Sequence, residues 1–139
     1  MLPLSMKVIG NHGFGNCEQL SEIALPEGLN AIGSYAFRRL VSLTRISVPY
    51  SVELIGEYAF EFCILLAEVV LSSGGGCGGL KQIRNACLQG CKSLEQISIP
   101  PTVERIANCT FMDCIRLTDV ELFDGLREIA AMPFCAVDH

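Results

Sequence analysis

An isoleucine, usually followed by glycine and then by a small residue and phenylalanine, returns along this chain at nearly constant spacing, and that spacing constrains the fold most. Ile9-Gly10 leads to Gly13-Phe14, Ile32-Gly33 to Ala36-Phe37, and Ile55-Gly56 to Ala59-Phe60. Looser copies run from Ile83 to Cys87-Leu88, from Ile106 to Thr110-Phe111 and from Ile129 to Pro133-Phe134. The intervals between these isoleucines are 23, 23, 28, 23 and 23 residues. A unit of that size has too little apolar surface to close a core of its own, so copies must stack and share one.

Aligned on that isoleucine, several columns stay apolar. Leu20, Leu43, Leu66, Leu94 and Leu117 form one. Ile23, Ile46, Val69, Ile97 and Val120 follow three residues later, and Leu25, Val48, Leu71, Ile99 and Leu122 two beyond those. The alternation predicts one short strand per repeat with one buried face. Pro26, Pro49 and Pro100 close it where a missing N–H matters least. Leu29, Val52, Leu80, Val103 and Leu126 stand three residues before the next isoleucine. The expected architecture is a solenoid: each repeat adds a strand to a parallel sheet at a spacing of about 4.8 Å, and the Ala-Phe segment packs the opposite wall. A core column of Phe14, Phe37, Phe60, Phe111 and Phe134 follows from the same alignment.

Composition enters as a consequence. Half of the 139 residues are hydrophobic and 18% are charged, and the mean hydropathy of +0.42 excludes intrinsic disorder. The longest apolar run, Phe62 to Ala67, ends at Glu68, far short of the roughly 20 residues of a spanning helix, so no membrane insertion by this segment is expected. A net charge of -5 and no local basic cluster argue against a nucleic-acid partner.

The pattern Leu-x-x-Ile-x-Ile-Pro-x-x-Val-x-x-Ile-Gly-x-x-Ala-Phe-x-x-Cys-x-x-Leu, followed throughout by Leu43 to Cys63, resembles the BspA-like, or Treponema-type, leucine-rich repeat. The resemblance implies an α/β solenoid: a right-handed leucine-rich-repeat superhelix with one short parallel strand per repeat of about 23 residues and little regular helix. It also implies a binding role, with a protein or cell-surface partner, as in surface proteins of bacteria and in many single-celled eukaryotes. The whole chain, 1–139, reads as one solenoid of about five full repeats with partial repeats at both ends. Neither end has a polar cap, which reads as a piece of a longer array.

Eight cysteines are the next candidates for chemistry. Cys87-x3-Cys91 and Cys109-x4-Cys114 imitate a zinc-ribbon spacing. The repeat offers another reading, because Cys17, Cys63, Cys91 and Cys114 share one column with Leu40 and Val137, where a small buried hydrophobe is wanted. Cys87 takes the small-residue column of Ala36 and Ala59, and Cys109 that of Tyr35 and Tyr58. A disulfide between Cys91 and Cys114 of stacked repeats is the third alternative. Free buried thiols are favoured. With no recognisable leader they lean toward a reducing compartment, although bacterial relatives of this repeat are often surface-exposed.

The interval of 28 residues places five extra residues within 72–79, Ser-Ser-Gly-Gly-Gly-Cys-Gly-Gly. Gly79-Leu80-Lys81 lacks the ending of a phosphate-binding loop, so a flexible rim loop is expected rather than a nucleotide site.

Binding residues should lie between the buried columns, on the concave face. They are Glu22, Arg45, Glu68, Gln96 and Asp119, then Ala24, Ser47, Val70, Ser98 and Glu121. Asp119 and Glu121 do not read as a catalytic pair, because an exposed sheet has no pocket to shift their pKa values. In the third repeat Phe62 departs from a column of Asn16, Arg39, Gly90 and Asp113, and Leu65 from Gln19, Ser42, Ser93 and Arg116. With Val70 and the glycine-rich loop, these two form the expected binding centre if they are exposed.

The expected function is non-enzymatic recognition of a protein or surface glycoconjugate by the concave face or rim, with no catalytic residue, metal or cofactor. A structural spacer or surface-array segment without a specific ligand is the alternative, and a zinc- or thiol-dependent protein the third reading.

Overall fold

The computed structural model describes residues 2–74 and 78–130. It is a parallel β-solenoid, and no helix forms among those residues. Two kinds of strand recur. The first sits at the isoleucine landmark: β1 (Val8–Ile9), β2 (Ala31–Ile32), β4 (Leu54–Ile55), β6 (Gln82–Ile83), β8 (Arg105–Ile106) and β10 (Glu128–Ile129). They pair in parallel, isoleucine on isoleucine, as one six-stranded sheet. The second kind is the strand expected from the Ile-x-Ile alternation: β3 (Arg45–Val48), β5 (Glu68–Leu71), β7 (Gln96–Ser98) and β9 (Asp119–Glu121).

Every full repeat after the first therefore carries a strand at the isoleucine landmark besides the expected one. The landmark strands are only two residues long, too short for alternation to announce them. The expected strands make two separate ladders, β3 with β5 and β7 with β9. The break between β5 and β7 falls where the insertion follows β5. The segment 22–25 forms no strand.

Strand burial follows the pleat. Ile46 and Val48 are buried while Arg45 and Ser47 face solvent, and Ile97 is buried between exposed Gln96 and Ser98. Pro49 and Pro100 end their segments buried. The outer column is less uniform than expected, since Leu25 and Leu71 are half-buried and Leu122 is exposed.

Between the landmark strand and the next leucine, the chain turns through an arc whose hydrogen bonding accounts for its sequence. In the first arc the N–H groups of Gly13, Gly15 and Cys17 close local turns onto Gly10, His12 and Phe14. The alternate N–H groups of His12, Phe14 and Asn16 donate to Ser34, Ala36 and Arg38 of the next repeat, at 2.9, 2.7 and 2.8 Å. Tyr35, Phe37 and Arg39, then Tyr58, Phe60 and Phe62, then Ala86, Leu88 and Gly90 repeat that pattern. Most donors in these arcs are thus paired, alternating between a local turn and the next repeat.

The geometry requires two left-handed residues per arc: His12 and Asn16, Tyr35 and Arg39, Tyr58 and Phe62, Ala86 and Gly90, Cys109 and Asp113, all with φ between 53° and 74°. Only one is glycine. Left-handed backbone costs a non-glycine residue roughly 1 to 2 kcal/mol, which the inter-repeat hydrogen bonds offset.

Inside, Phe37 and Phe60 are fully buried and stacked at 5.2 Å; Phe111 is buried. Phe14 stacks on Phe37 at 5.7 Å but is only half-buried, because it has a neighbouring repeat on one side alone. Phe134 lies outside the described residues. His12, Tyr35 and Tyr58 form a second stack on the outside of the arcs, at 4.8 and 5.0 Å. One carboxylate is buried with them. Glu61, 6% exposed, lies 2.7 Å from Nε of Arg38 as an ion pair rather than a directed hydrogen bond.

Candidate functional site

The exposed face of β3, β5, β7 and β9 carries the side chains that the pleat leaves over from core packing. Arg45, Glu68, Gln96, Asp119 and Glu121 are exposed there, as is Glu22 on the preceding segment. Arg45 Nε lies 3.3 Å from Glu68 Oε2, with both side chains more than half in water. Such a pair contributes about 0 to 1 kcal/mol. Ser98 donates to Glu121 Oε2 at 2.9 Å. Val70 is half-buried rather than fully turned to solvent.

Two grooves cross this face where strand pairing fails. One, of about 520 Å³, is lined by Glu22 to Leu25 together with Thr44 to Ser47. The other, of about 300 Å³, spans β5, β7 and β9 past Glu68, Val70, Gln96, Ser98, Asp119 and Glu121. Both are open, with mixed polar and apolar walls.

The third repeat's departures are divided by the structure. Leu65 is 50% exposed, on the rim where the arc turns into β5. Phe62 is half-buried, its ring against Gly90 of the next repeat. Its column of Asn16, Arg39, Gly90 and Asp113 is the left-handed position, which accounts for the Asn, Gly and Asp found there. Ile64, 39% exposed, belongs with Leu65 and was missed from the sequence. The signal was present in its column, Glu18, Val41, Ile64, Lys92 and Ile115, where charge and aliphatic residues alternate without a core requirement.

The described ends of the glycine-rich loop lie apart from this strip. Leu65 precedes β5 and the loop follows it, so the length of the strand, about 13 Å, lies between them. Gly74, Gly78 and Gly79, at the described ends of the loop, lie against Tyr50 instead. A Cβ on Gly79, whose φ is +99°, would stand 2.9 Å from the Tyr50 ring and 3.0 Å from Thr102 Cγ2. Close approach, rather than phosphate binding, explains the glycine there.

The described cysteines separate by burial rather than by column. Cys63, Cys87, Cys91 and Cys114 are buried, whereas Cys17 is exposed and Cys109 half-exposed. Cys17 therefore leaves the expected core set, for the reason that leaves Phe14 half-covered. The buried thiols are more than small hydrophobes: Cys63 donates to the carbonyl of Phe37 at 3.1 Å, Cys91 to Phe60 at 3.3 Å, and Cys114 to Leu88 at 3.1 Å. Each bridges to the preceding repeat. The zinc-ribbon spacing does not converge, since Cys109 lies on the outer left-handed column and Cys114 inside. Among the described residues no group of three or more His, Cys, Asp or Glu side chains could hold a metal ion.

Burial pushes the thiols of Cys63 and Cys114 up to about 12, and those of Cys87 and Cys91 upward as well, because a thiolate there would lose its water. A disulfide-exchange reagent at pH 8 should thus modify Cys17 and Cys109 rapidly, and these four only as the chain unfolds. The pH dependence follows in sign. Above about pH 9 the unfolded chain loses thiol protons that the folded chain keeps, so stability falls as pH rises from about 9 toward 12. Equally fast modification of all six in the folded protein would contradict this packing.

Comparison with known proteins bears on both fold and site. The model of the BspA type leucine rich repeat region matches residues 1–77 and 78–138 in six copies. A leucine-rich repeat protein of Bacteroides ovatus is similar in structure, with a TM-score of 0.77 and 29% identity over 93% of this chain and 32% of that one. The Treponema pallidum leucine rich repeat protein gives a TM-score of 0.74 and 32% identity over 84% of this chain and 52% of that one. A leucine-rich repeat protein of Eubacterium ventriosum, 19% identical, shares the fold with a TM-score of 0.79 over 99% of this chain and 43% of that one. The chain thus spans between about a third and a half of these structures. Among curated proteins none matches.

Proposed function

The chain belongs to the BspA-type leucine-rich-repeat family, and from that premise we propose that it is a non-enzymatic recognition module whose exposed strand face takes a protein partner. One observation carries the reading. Every core column repeats, while the exposed strand columns change from repeat to repeat: Glu22, Arg45, Glu68, Gln96 and Asp119 in one, Ala24, Ser47, Val70, Ser98 and Glu121 in the other. Residues free of packing demands are those that can be chosen for a partner.

A protein is favoured over a glycoconjugate by the chemistry of this face. Sugars stack on open aromatic faces, and neither exposed column contains an aromatic ring. The described aromatic stacks lie on and inside the arcs, away from the strand face, with only His12 at the end of the outer stack exposed. The groove across β5, β7 and β9 keeps Glu68, Asp119 and Glu121, which suits a partner presenting cationic or hydrogen-bonding groups.

The test is charge reversal at Glu68, Asp119 and Glu121 together, with Glu104→Lys, exposed outside the strand face, as the control. Retention of native partners from a cell extract should fall at least tenfold for the triple variant and hold for the control, with thermal midpoints unchanged. Undiminished retention by the folded triple variant would remove this face.

A further inference from the structure

We propose that the rim strip of Val41, Phe62, Ile64 and Leu65 docks an amphipathic segment of a partner protein that carries aliphatic side chains together with carboxylates. The proposal rests on the recognition reading and adds a second contact to it. Ile64 and Leu65 are 39% and 50% exposed, Val41 and Phe62 half-buried. Nothing in the shared core asks for them, since the same columns hold Glu18, Lys92, Gln19 and Ser93 in other repeats.

Hydrogen bonds between repeats fix what borders the strip. Arg39 N–H donates to Glu61, and Phe62 N–H to Gln89, each at 2.8 Å. Ser93 Oγ donates to the carbonyl of Ile64 at 2.7 Å. Arg39 is thereby set one repeat before Phe62, and Lys92 one repeat after Ile64. Both side chains are exposed. Arg38, Arg39 and Lys92 face only Glu61 across the arc-to-rim segments 38–42, 61–65 and 89–93, and Arg38 is committed to that carboxylate. Arg39 and Lys92, neither in an ion pair among the described residues, thus border the Ile64–Leu65 surface, while Glu18 lies beyond Val41 at the far end of the strip, on a chain of net charge -5. That local reversal of sign selects carboxylates beside aliphatic groups. An anionic membrane is less well matched, because such attraction takes clusters of about 4 to 8 basic residues and the remaining net charge repels.

Two twelve-residue probe peptides test it, one alternating leucine pairs with glutamate pairs and the other with lysine pairs. They are titrated into the ¹⁵N-labelled whole chain and followed by amide shifts. The leucine–glutamate peptide should shift the amides of Val41, Ile64, Leu65 and Lys92 and bind at least fivefold more tightly than its lysine counterpart. Adding salt should narrow that difference. Ile64→Ser with Leu65→Ser should weaken it at least fivefold, and Arg39→Glu with Lys92→Glu should invert the preference. No rim shift, no preference between peptides, or unchanged binding by the Ile64/Leu65 variant overturns the proposal. So does binding to phosphatidylserine vesicles without binding to the glutamate peptide. The Glu68/Asp119/Glu121 reversal scores the strand face separately, so the rim can fail while that face stands.

Discussion

Phe60→Ala should destabilise the solenoid by about 3 to 5 kcal/mol, the range for a buried aromatic cut to a methyl group. The ring is 1% exposed and stacks on Phe37 at 5.2 Å. Its backbone is equally committed. Phe60 N–H donates to Cys87 at 2.8 Å, and its carbonyl accepts from Cys63 N–H at 3.2 Å and Cys91 Sγ at 3.3 Å. Neighbouring turns held this way cannot collapse into the space the ring leaves, so the cavity persists. Urea unfolding measures the loss, and Phe14→Ala, at a half-buried position, should cost less. An unchanged midpoint for Phe60→Ala would contradict the packing.

Gly56→Ala should cost about 2 to 3 kcal/mol, while the same change at Gly10 should leave the unfolding midpoint nearly where it was. The two glycines occupy the same place after the landmark isoleucine. A Cβ on Gly56 would stand 2.5 Å from Ser34 N, 2.7 Å from Gly33 C and 2.9 Å from Ser34 Cα, whereas one on Gly10 would meet nothing within 4 Å. Backbone cannot swing aside as a side chain can. Gly33 is as tightly set, 2.6 Å from Asn11 N, while Arg84 and Ala107 fill the same column in later repeats, so the demand belongs to the stacking of the first three repeats and not to the motif. Equal effects at Gly10 and Gly56 would show that the glycine serves the turn itself instead of the contact.

The proposed recognition surface was only partly legible. The strand face followed from alternation, because a period of two assigns Arg45 and Glu68 to one side and Ile46 and Val69 to the other without further knowledge. Phe62 and Leu65 were found as departures from their columns, yet a departure does not say which way a side chain points. Ile64 belongs to the same strip, in a column whose mixture of Glu18, Val41, Lys92 and Ile115 already marks it as free of a core requirement. Cys17 shares a column with Cys63, Cys91 and Cys114 but is exposed, since alignment records a position within the repeat and not how many neighbours cover it.

The sequence by itself determined the repeat, its length, the buried columns and the parallel stack. A 23-residue unit with one apolar face has no other way to remove that face from water. The tertiary structure decided the two left-handed residues in each arc, the landmark ladder, the thiol-to-carbonyl bridges and the separation of the glycine-rich loop's described ends from the rim strip. Those features arise between repeats rather than within one. Tyr35, Arg39, Tyr58 and Phe62 have no intrinsic preference for positive φ, and they adopt it because only that backbone aims alternate N–H groups at the carbonyls of the next turn.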